Sequence, residues 1–442
     1  MSTTKSHVID DAVMNRFLVK VTVFSSGGSF LDGYVLSIIG VALVGLTTSL
    51  NLTTSDAAFI GAASLAGIFF GAIVGGRLTD AFGRRLMFLL DVSLIGIVSI
   101  ACIFVEAPWQ LIVLRFLIGF FIGADYPIAT SLIVEFVPRK HRAIGMGIVS
   151  ASWYLGATVA AFVGYLLYHV PNGWQWMFAS SVIPCIALLI GRHDIPESPR
   201  WLAQRGRVEK ARAVMKKVYG QEVDLEDEIP TTNLGFKQVF THGYLGRIIF
   251  LGILILCQVV PMYAMYTFGP RIMASFGLAE GSLSILGETV VSLFFLIGSI
   301  PAMFWLNSLG RRPLLIGSLG LMAVGLLIPG IAPGAPIIVI IIAFGLYAFF
   351  SGGPGILQWL YPNELFPTEA RATAVGVAIA ISRIGVVAST YGLPLFLESY
   401  GIGPTMLIGA GLLLIALVMS IFMAPETRGM TLSEASSLHT KG

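Results

Sequence analysis

Long apolar stretches separated by short polar turns dominate the pattern of this 442-residue chain. A helix needs about 20 mainly apolar residues to cross the roughly 30 Å hydrocarbon core of a bilayer. Twelve stretches approach or exceed that length: 18–48, 57–78, 86–105, 109–133, 143–168, 174–191, 247–269, 283–306, 313–332, 335–361, 372–397 and 403–424. The pattern predicts an all-α membrane protein with twelve transmembrane helices.

The distribution of lysine and arginine predicts the orientation of these helices. If the N-terminus is cytoplasmic, the outer loops carry only Arg271, and the inner loops carry nearly all other bases. This asymmetry is typical of inner-membrane proteins and predicts that both termini are cytoplasmic. It also explains the net charge of +3 without a nucleic-acid partner.

A polar segment divides the chain into three predicted parts. Residues 1–191 form an N-terminal six-helix bundle, and residues 247–442 form a C-terminal bundle with a short tail. In the connecting residues 192–246, SPRWLAQRGRVEKARAVMKKVYG places apolar residues at helical spacing among bases. This pattern predicts amphipathic helices at the cytoplasmic interface.

The composition agrees with a membrane protein and gives no sign of an enzyme. Only 12% of the residues are charged, whereas about 25% is usual in soluble proteins. The three cysteines show no CxxC spacing, and the inner loops contain no HExxH, GxSxG or P-loop motif. We expect no cofactor and no metal, with a proton gradient as the energy source.

Three motifs occur twice, at nearly the same offset along the chain. GRLTDAFGRR recurs as FWLNSLGRR, EFVPRKHRA recurs as ELFPTEARA, and PESPR recurs as PETRG. Six predicted spans separate the two copies of each motif, so both copies lie on the same membrane face. The two halves are therefore related by an axis along the membrane normal.

The charged residues of these repeats predict a gate at the cytoplasmic face. Carboxylates and bases can pair across the closed gate, and opening would break these charge-assisted bonds. Asn307 replaces the acid in the second copy, so the two gates cannot be equal. A role in topology alone is the alternative. The predicted gating residues are Asp80, Arg84, Arg85, Glu135, Arg142, Arg311, Arg312, Glu364 and Arg371.

Together these motifs resemble the sugar-porter branch of the major facilitator superfamily, over essentially the whole chain. The resemblance implies two six-helix bundles that transport a small molecule by alternating access. It further implies a multi-pass, monomeric protein of the bacterial inner membrane, with the lipid bilayer and the substrate as its partners.

Ionisable residues inside spans are costly and usually functional. Sugar porters pair an arginine at the position of Arg115 with an aspartate at the position of Val35, and Asp32 lies one helical turn earlier. We predict that Asp32 binds the coupling proton and that Arg115 tunes it; a permanent structural pair is the alternative. For Asp125, a second proton site, a substrate contact and a structural role all stay open. Glu288 is interpreted as an interfacial group.

The predicted cavity has lost most of the sugar signature. Span seven reads CQVVPMYAMYTFGP and keeps one of two signature glutamines, and a serine stands where span five of sugar porters carries another. Arg383 resembles an arginine that faces the cavity in organic-anion branches, which indicates an anionic ligand; pairing with an acidic residue or with helix carbonyls is the alternative. The predicted substrate-binding residues are Arg383, Gln258, Tyr263, Trp359, Ser150 and Trp153.

The sequence therefore predicts a proton-coupled symporter of an organic acid or sugar acid. A neutral sugar or polyol symporter and a facilitative uniporter are alternatives within the transporter class. A channel is the alternative from a different class.

Overall fold

A computed structural model describes residues 15–136, 139–219, 244–366 and 368–430. Within these ranges, only the backbone is described at positions 76, 77, 80, 126–136, 139–144, 146, 200, 204, 363 and 368–373. Within these residues, twelve helical segments are long and apolar enough to cross a membrane, as predicted. The spans in chain order are Arg16–Ser49, Thr54–Phe82, Arg84–Ala101, Pro108–Phe136, Arg139–Leu167, Gly173–Ser180 with Val182–Arg192, Leu245–Ser275, Ser282–Ser308, Arg311–Ile331, Ile337–Phe350 with Gly352–Leu365, Thr368–Tyr400 and Ile402–Met423. We call them spans one to twelve.

Each half packs through close helix pairs, of which spans one and five are an example. A Cβ added to Gly33 would collide with the backbone carbonyl of Trp153, and one added to Gly156 would collide with that of Phe30. Small residues at a membrane helix interface let the two backbones approach closely. The two halves then meet along spans one and seven, five and eight, and two and eleven.

Two short helices, Pro199–Gln204 and Val208–Tyr219, follow span six. The second buries Ala211, Met215 and Val218 on one side, which is the amphipathic pattern that its sequence predicts. We call the end of the bundle that carries these helices the linker face, and the opposite end the far face. That the linker face is cytoplasmic stays a prediction.

The two halves contact each other at the far face. The rings of Phe59 and Tyr391 lie 4.8 Å apart, centroid to centroid. Gly40 packs against the backbone carbonyl of Tyr266, with no room for a Cβ. These contacts place spans one, two, seven and eleven together on that side of the central cavity.

Span ten is interrupted at Ser351, between its two helical segments. The break lies in the SGGPG element, where glycine and proline are expected to disturb a regular helix. The second segment, Gly352–Leu365, carries side chains that line the cavity between the halves.

Candidate functional site

A cavity of about 50 Å³ lies between the two halves, with walls from spans one, four, five, seven, ten and eleven. Seven of the nine residues predicted for proton coupling and substrate binding line it. They are Asp32, Asp125, Ser150, Trp153, Tyr263, Trp359 and Arg383. The structure therefore brings most of the predicted site together in one place.

Opposite charges come from opposite halves of the molecule. Asp32 and Asp125 enter the cavity wall from the N-terminal half, and Arg383 enters it from the C-terminal half. The Nη1 of Arg383 donates a 3.3 Å hydrogen bond to the hydroxyl of Tyr263, and its guanidinium lies 5.8 Å from the centre of that ring. A ligand bound here would contact acidic groups of one bundle and a basic group of the other.

Aromatic side chains form much of the remaining wall. The ring of Trp153 meets Tyr263 and Tyr266 edge-on, with centroids 6.0 Å and 5.1 Å apart. The indole Nε1 of Trp153 is buried and has no hydrogen-bond partner in the described part of the chain. Since buried indole N–H groups usually find a partner, this donor is suited to a bound ligand.

The structure does not bring Arg115 to Asp32, contrary to the predicted pair. Arg115 is buried and donates 2.8 Å to the carbonyl of Val35 and 3.0 Å to Ser64 Oγ. Val35 occupies the position where sugar porters carry the partner aspartate. The guanidinium therefore meets a backbone carbonyl at residue 35, and the carboxylate of Asp32 lies one helical turn earlier in span one.

Gln258 also lies away from the cavity. Its Nε2 donates a 3.3 Å hydrogen bond to Ser351 Oγ, at the break in span ten. The cavity wall contains Gln358 instead, which the sequence reasoning missed. Its neighbour Trp359 was the signal that this turn of span ten faces the substrate.

A buried ion-pair network behind Asp125 was not predicted. Arg192 was interpreted as the first base of the polar linker, but its side chain is 0% exposed. Its Nη2 lies 3.4 Å from Asp125 Oδ2, and its Nη1 lies 3.9 Å from Asp91 Oδ1. Asp91 stands alone in the apolar run of span three, and that isolated acid was the signal for the network.

Gly28 of span one fits this network closely, since a Cβ there would collide with Asp125 and Arg192. Asp32 lies one turn further along the same helix. Its neighbouring charges are Asp125, Arg192 and Arg383, with Arg115 absent from this set. The proton-coupling prediction thus has a different set of partners from the one expected.

At the linker face, Glu197 of the PESPR motif caps the N-terminus of span three. Its carboxylate accepts hydrogen bonds from the backbone N–H groups of Arg84 at 2.9 Å and Arg85 at 3.2 Å. Gly83, which precedes the helix, has a φ of 103°, and a Cβ there would collide with the Glu197 carboxylate. Both constraints explain the glycine of the repeated Gly-Arg-Arg motif.

The same arrangement recurs in the second half. Glu426 of the PETRG motif accepts 3.1 Å hydrogen bonds from the backbone N–H groups of Arg311 and Arg312. The preceding Gly310 has a φ of 100°. The duplicated glutamates are therefore helix caps, a role that the spacing of the motifs did not predict.

The side chains of Asp80, Glu135, Arg142 and Arg371 lie outside those that the structure describes, so their gating role stays a prediction. Among the others, Arg311 forms a 3.0 Å ion pair with Glu364, within the C-terminal half. The side chains of Arg85 and Arg312 donate to the carbonyls of His193 and Ile421. Arg84 takes part through its backbone N–H group, which donates to the carboxylate of Glu197.

The interpretation of Glu288 as an interfacial group is wrong. Its side chain is buried in span eight, against Gly269 of span seven, and accepts a 2.7 Å hydrogen bond from Ser292 Oγ. The error arose because position along the span was used without knowing which side of the helix faces lipid.

A model of the sugar (and other) transporter family matches residues 20–439 of the chain. The chain belongs to the sugar transporter family. The chain is 49% identical to YaaU of Escherichia coli (strain K12), which is named as a metabolite transport protein. The match covers 99% of this chain and 98% of YaaU. The chain is 33% identical to the inner membrane metabolite transport protein YgcS of the same organism, over 97% and 96%.

Solved structures show the same fold. The xylose transporter XylE of Escherichia coli, in a partially occluded inward open conformation, superposes with a TM-score of 0.81 at 23% identity and covers 94% of this chain and 100% of that one. XylE bound to 6-bromo-6-deoxy-D-glucose gives 0.77, at 23% identity, with 96% and 99% covered. The sugar transporter family member is thus a multi-pass inner-membrane transporter of the major facilitator fold, and not an enzyme.

Proposed function

We propose that the protein is a proton-coupled symporter of a small organic acid or sugar acid. The observation that carries the proposal is Arg383 in the wall of the cavity, opposite two carboxylates of the other half. A guanidinium presents a planar fork of donors that matches a carboxylate. A ligand bound to Arg383 would span the interface between the halves, as alternating access requires.

The proton-coupling part of the proposal rests on Asp32. Its side chain is 2% exposed and lines the cavity, so a proton and a substrate would share one compartment. Buried carboxyl groups in transporters are typical members of proton relays. An anion that enters with protons brings less net charge into the low-dielectric interior.

Neutral sugars are the competing substrates, and the names of some relatives favour them. The glucose transporter GlcP of Staphylococcus epidermidis is 28% identical, over 95% of this chain and 96% of that protein. Hexose hydroxyls need several amide donors and acceptors, but Gln358 is the one amide side chain among the described residues of the cavity wall. Gln258, the signature amide, bonds to Ser351 instead. We therefore rank a neutral sugar second.

Thermal unfolding of the purified protein with panels of carboxylates and neutral sugars distinguishes the two substrates. A ligand at about 100 times its dissociation constant stabilises the folded state by roughly 2.7 kcal/mol. We expect stabilisation by a carboxylate, lost in Arg383→Ala but kept in the control Arg271→Ala, an exposed position of span seven. Stabilisation by neutral sugars alone, unchanged in Arg383→Ala, contradicts the organic-acid proposal.

Uptake into vesicles then tests the coupling. In Asp32→Asn, a pH gradient should no longer drive accumulation, while exchange of labelled for unlabelled substrate continues. Asp56→Asn is the control, because Asp56 belongs to an exposed capping box at the start of span two. Normal accumulation by Asp32→Asn would remove Asp32 from the coupling mechanism.

A further inference from the structure

We propose that Asp91 and Asp125 share one proton across the guanidinium of Arg192, so that this buried triad is a proton-binding site. The three residues come from spans three, four and six, and neither Asp91 nor Arg192 lines the cavity. The existence of the site is independent of transport. Its use in transport rests on the proposed proton symport.

The geometry of the triad is that of two carboxylates around one base. Arg192 lies 3.4 Å from Asp125 and 3.9 Å from Asp91, and the side chains are 0%, 4% and 1% exposed. The carboxyl groups of Asp91 and Asp125 also interact with each other. Because all three side chains are buried, salt screens their interactions much less than those of exposed charges.

Backbone contacts hold the guanidinium between the two acids. Its Nη1 donates 2.8 Å to the carbonyl of Phe88, its Nε donates 3.3 Å to that of Phe24, and it stacks 3.4 Å over the Phe88 ring. Arg192 thus cannot swing out to water without losing these bonds. The guanidinium of Arg192 is therefore a fixed positive charge, and the two carboxyl groups are the parts of the triad that can gain or lose a proton.

Charge balance then requires a proton. Two carboxylates and one guanidinium, all buried, carry one uncompensated negative charge, and leaving a buried charge uncompensated is strongly unfavourable. The other ionisable groups that act on the triad are Asp32 of span one, near Asp125 and Arg192, and Cys185 of span six, near Arg192. Arg383 of span eleven acts on Asp32. Asp32 carries no positive charge in either protonation state, and Arg383 acts on Asp32 and not on Asp91, so neither residue neutralises the triad.

Only Asp125 links the triad to the cavity. Asp125 lines the cavity wall, whereas Asp91 lies behind it and does not. A proton arriving from the cavity reaches Asp125 first, and Asp91 extends the same site into the N-terminal bundle. Asp91 and Arg192 therefore act on the proton and do not touch the substrate.

Infrared spectroscopy of the protein in lipid vesicles at neutral pH tests the inference, since protonated carboxyl groups have their own carbonyl stretching band. We expect Asp91→Asn and Asp125→Asn each to lose one protonated carboxyl group, and the double variant to lose no more. Each single variant leaves one carboxylate balanced by Arg192, so neither keeps the proton. Arg192→Gln should instead gain one protonated carboxyl group.

Asp194→Asn is the matched control. Asp194 is exposed at the linker face, two residues after Arg192, and hydrogen bonds from His193 and Lys20 hold its pKa below the ordinary value. It is ionised at neutral pH and contributes no protonated carboxyl band, so its substitution should leave the band unchanged.

An unchanged band in either single Asn variant, or a double variant that loses two groups, would overturn the shared proton. These variants keep the side-chain size and remove negative charge only, so the test does not depend on Arg192→Gln folding. If the expected band pattern occurs but substrate uptake does not depend on external pH, the result supports the proton-binding triad and contradicts the proposed proton symport. The two hypotheses therefore fail separately.

Discussion

The glutamate cap of span three offers a direct test of what holds the linker face together. Glu197 accepts hydrogen bonds from the N–H groups of Arg84, Arg85 and Ser198, at 2.9 Å, 3.2 Å and 2.9 Å. The first two are among the N–H groups at a helix start that have no partner inside the helix. In Glu197→Ala these groups lose their acceptor, and Gly83 is left beside an empty space.

The expected cost follows from the number and type of these bonds. Loss of an N-cap acceptor typically costs 0.5–2 kcal/mol, so about 1–2 kcal/mol is reasonable for a cap with two helical donors. Loss of the carboxylate charge at the positive end of the helix adds about 0.3–1 kcal/mol. We therefore expect Glu197→Ala to reduce the free energy of unfolding by about 1–3 kcal/mol. Glu197→Gln keeps an acceptor and should lose only the charge contribution.

Equilibrium unfolding of the purified protein in mixed micelles measures these differences. Glu106→Ala, an exposed loop residue at the far face, serves as the control and should change stability little. Glu426→Ala should match Glu197→Ala, because Glu426 caps span nine in the same way. The two effects should add in a double variant, since the caps share no contacts. Equal stability of Glu197→Ala and wild type would refute the capping role.

Three further predictions concern helix packing and the far face. Gly28→Ala should lower the free energy of unfolding by about 1–3 kcal/mol, because the added methyl group would overpack against Asp125 and Arg192. The control Gly317→Ala has no neighbouring atom within 4 Å and should not change it in the same unfolding assay. Arg115→Gln should lower the free energy of unfolding by about 2–4 kcal/mol, because two charge-assisted hydrogen bonds are lost. The pH dependence of uptake should stay the same, and a changed pH profile would show that Arg115 takes part in proton coupling. The double variant Phe59→Cys with Tyr391→Cys should form a disulfide on oxidation and block substrate exchange until it is reduced. Exchange that continues after complete crosslinking would contradict the view that the two halves separate at the far face during transport.

Hydropathy predicted the twelve spans, and the family resemblance with the charges inside spans predicted seven of the residues that line the cavity. Apolar length reports membrane crossing directly, because the bilayer imposes it. The cavity residues were found because they occupy positions that relatives use for substrate. Arg383 and Trp359 are examples, and both line the cavity.

The rotation of each helix about its axis could not be read from the sequence. Arg192 borders the polar linker, so its position in the chain indicated a loop base, although span six turns its side chain inward. Arg115 was assigned to Asp32 on the expectation that a carboxylate one helical turn earlier could still reach it, but the guanidinium bonds to the carbonyl of Val35 instead. Asp91 was overlooked because a single acid in an apolar run does not change the prediction of a span.

The glutamate caps also bear on how a protein with two equal halves arises. Glu197 and Glu426 each follow the sixth helix of a half and bind the third helix of that same half. Each cap thus joins the third helix of a half to the segment after its sixth helix, and both partners of the cap come from that half. A gene for six helices with such a glutamate at its end encodes a finished module, and duplication needs to add only a connector to make the present chain.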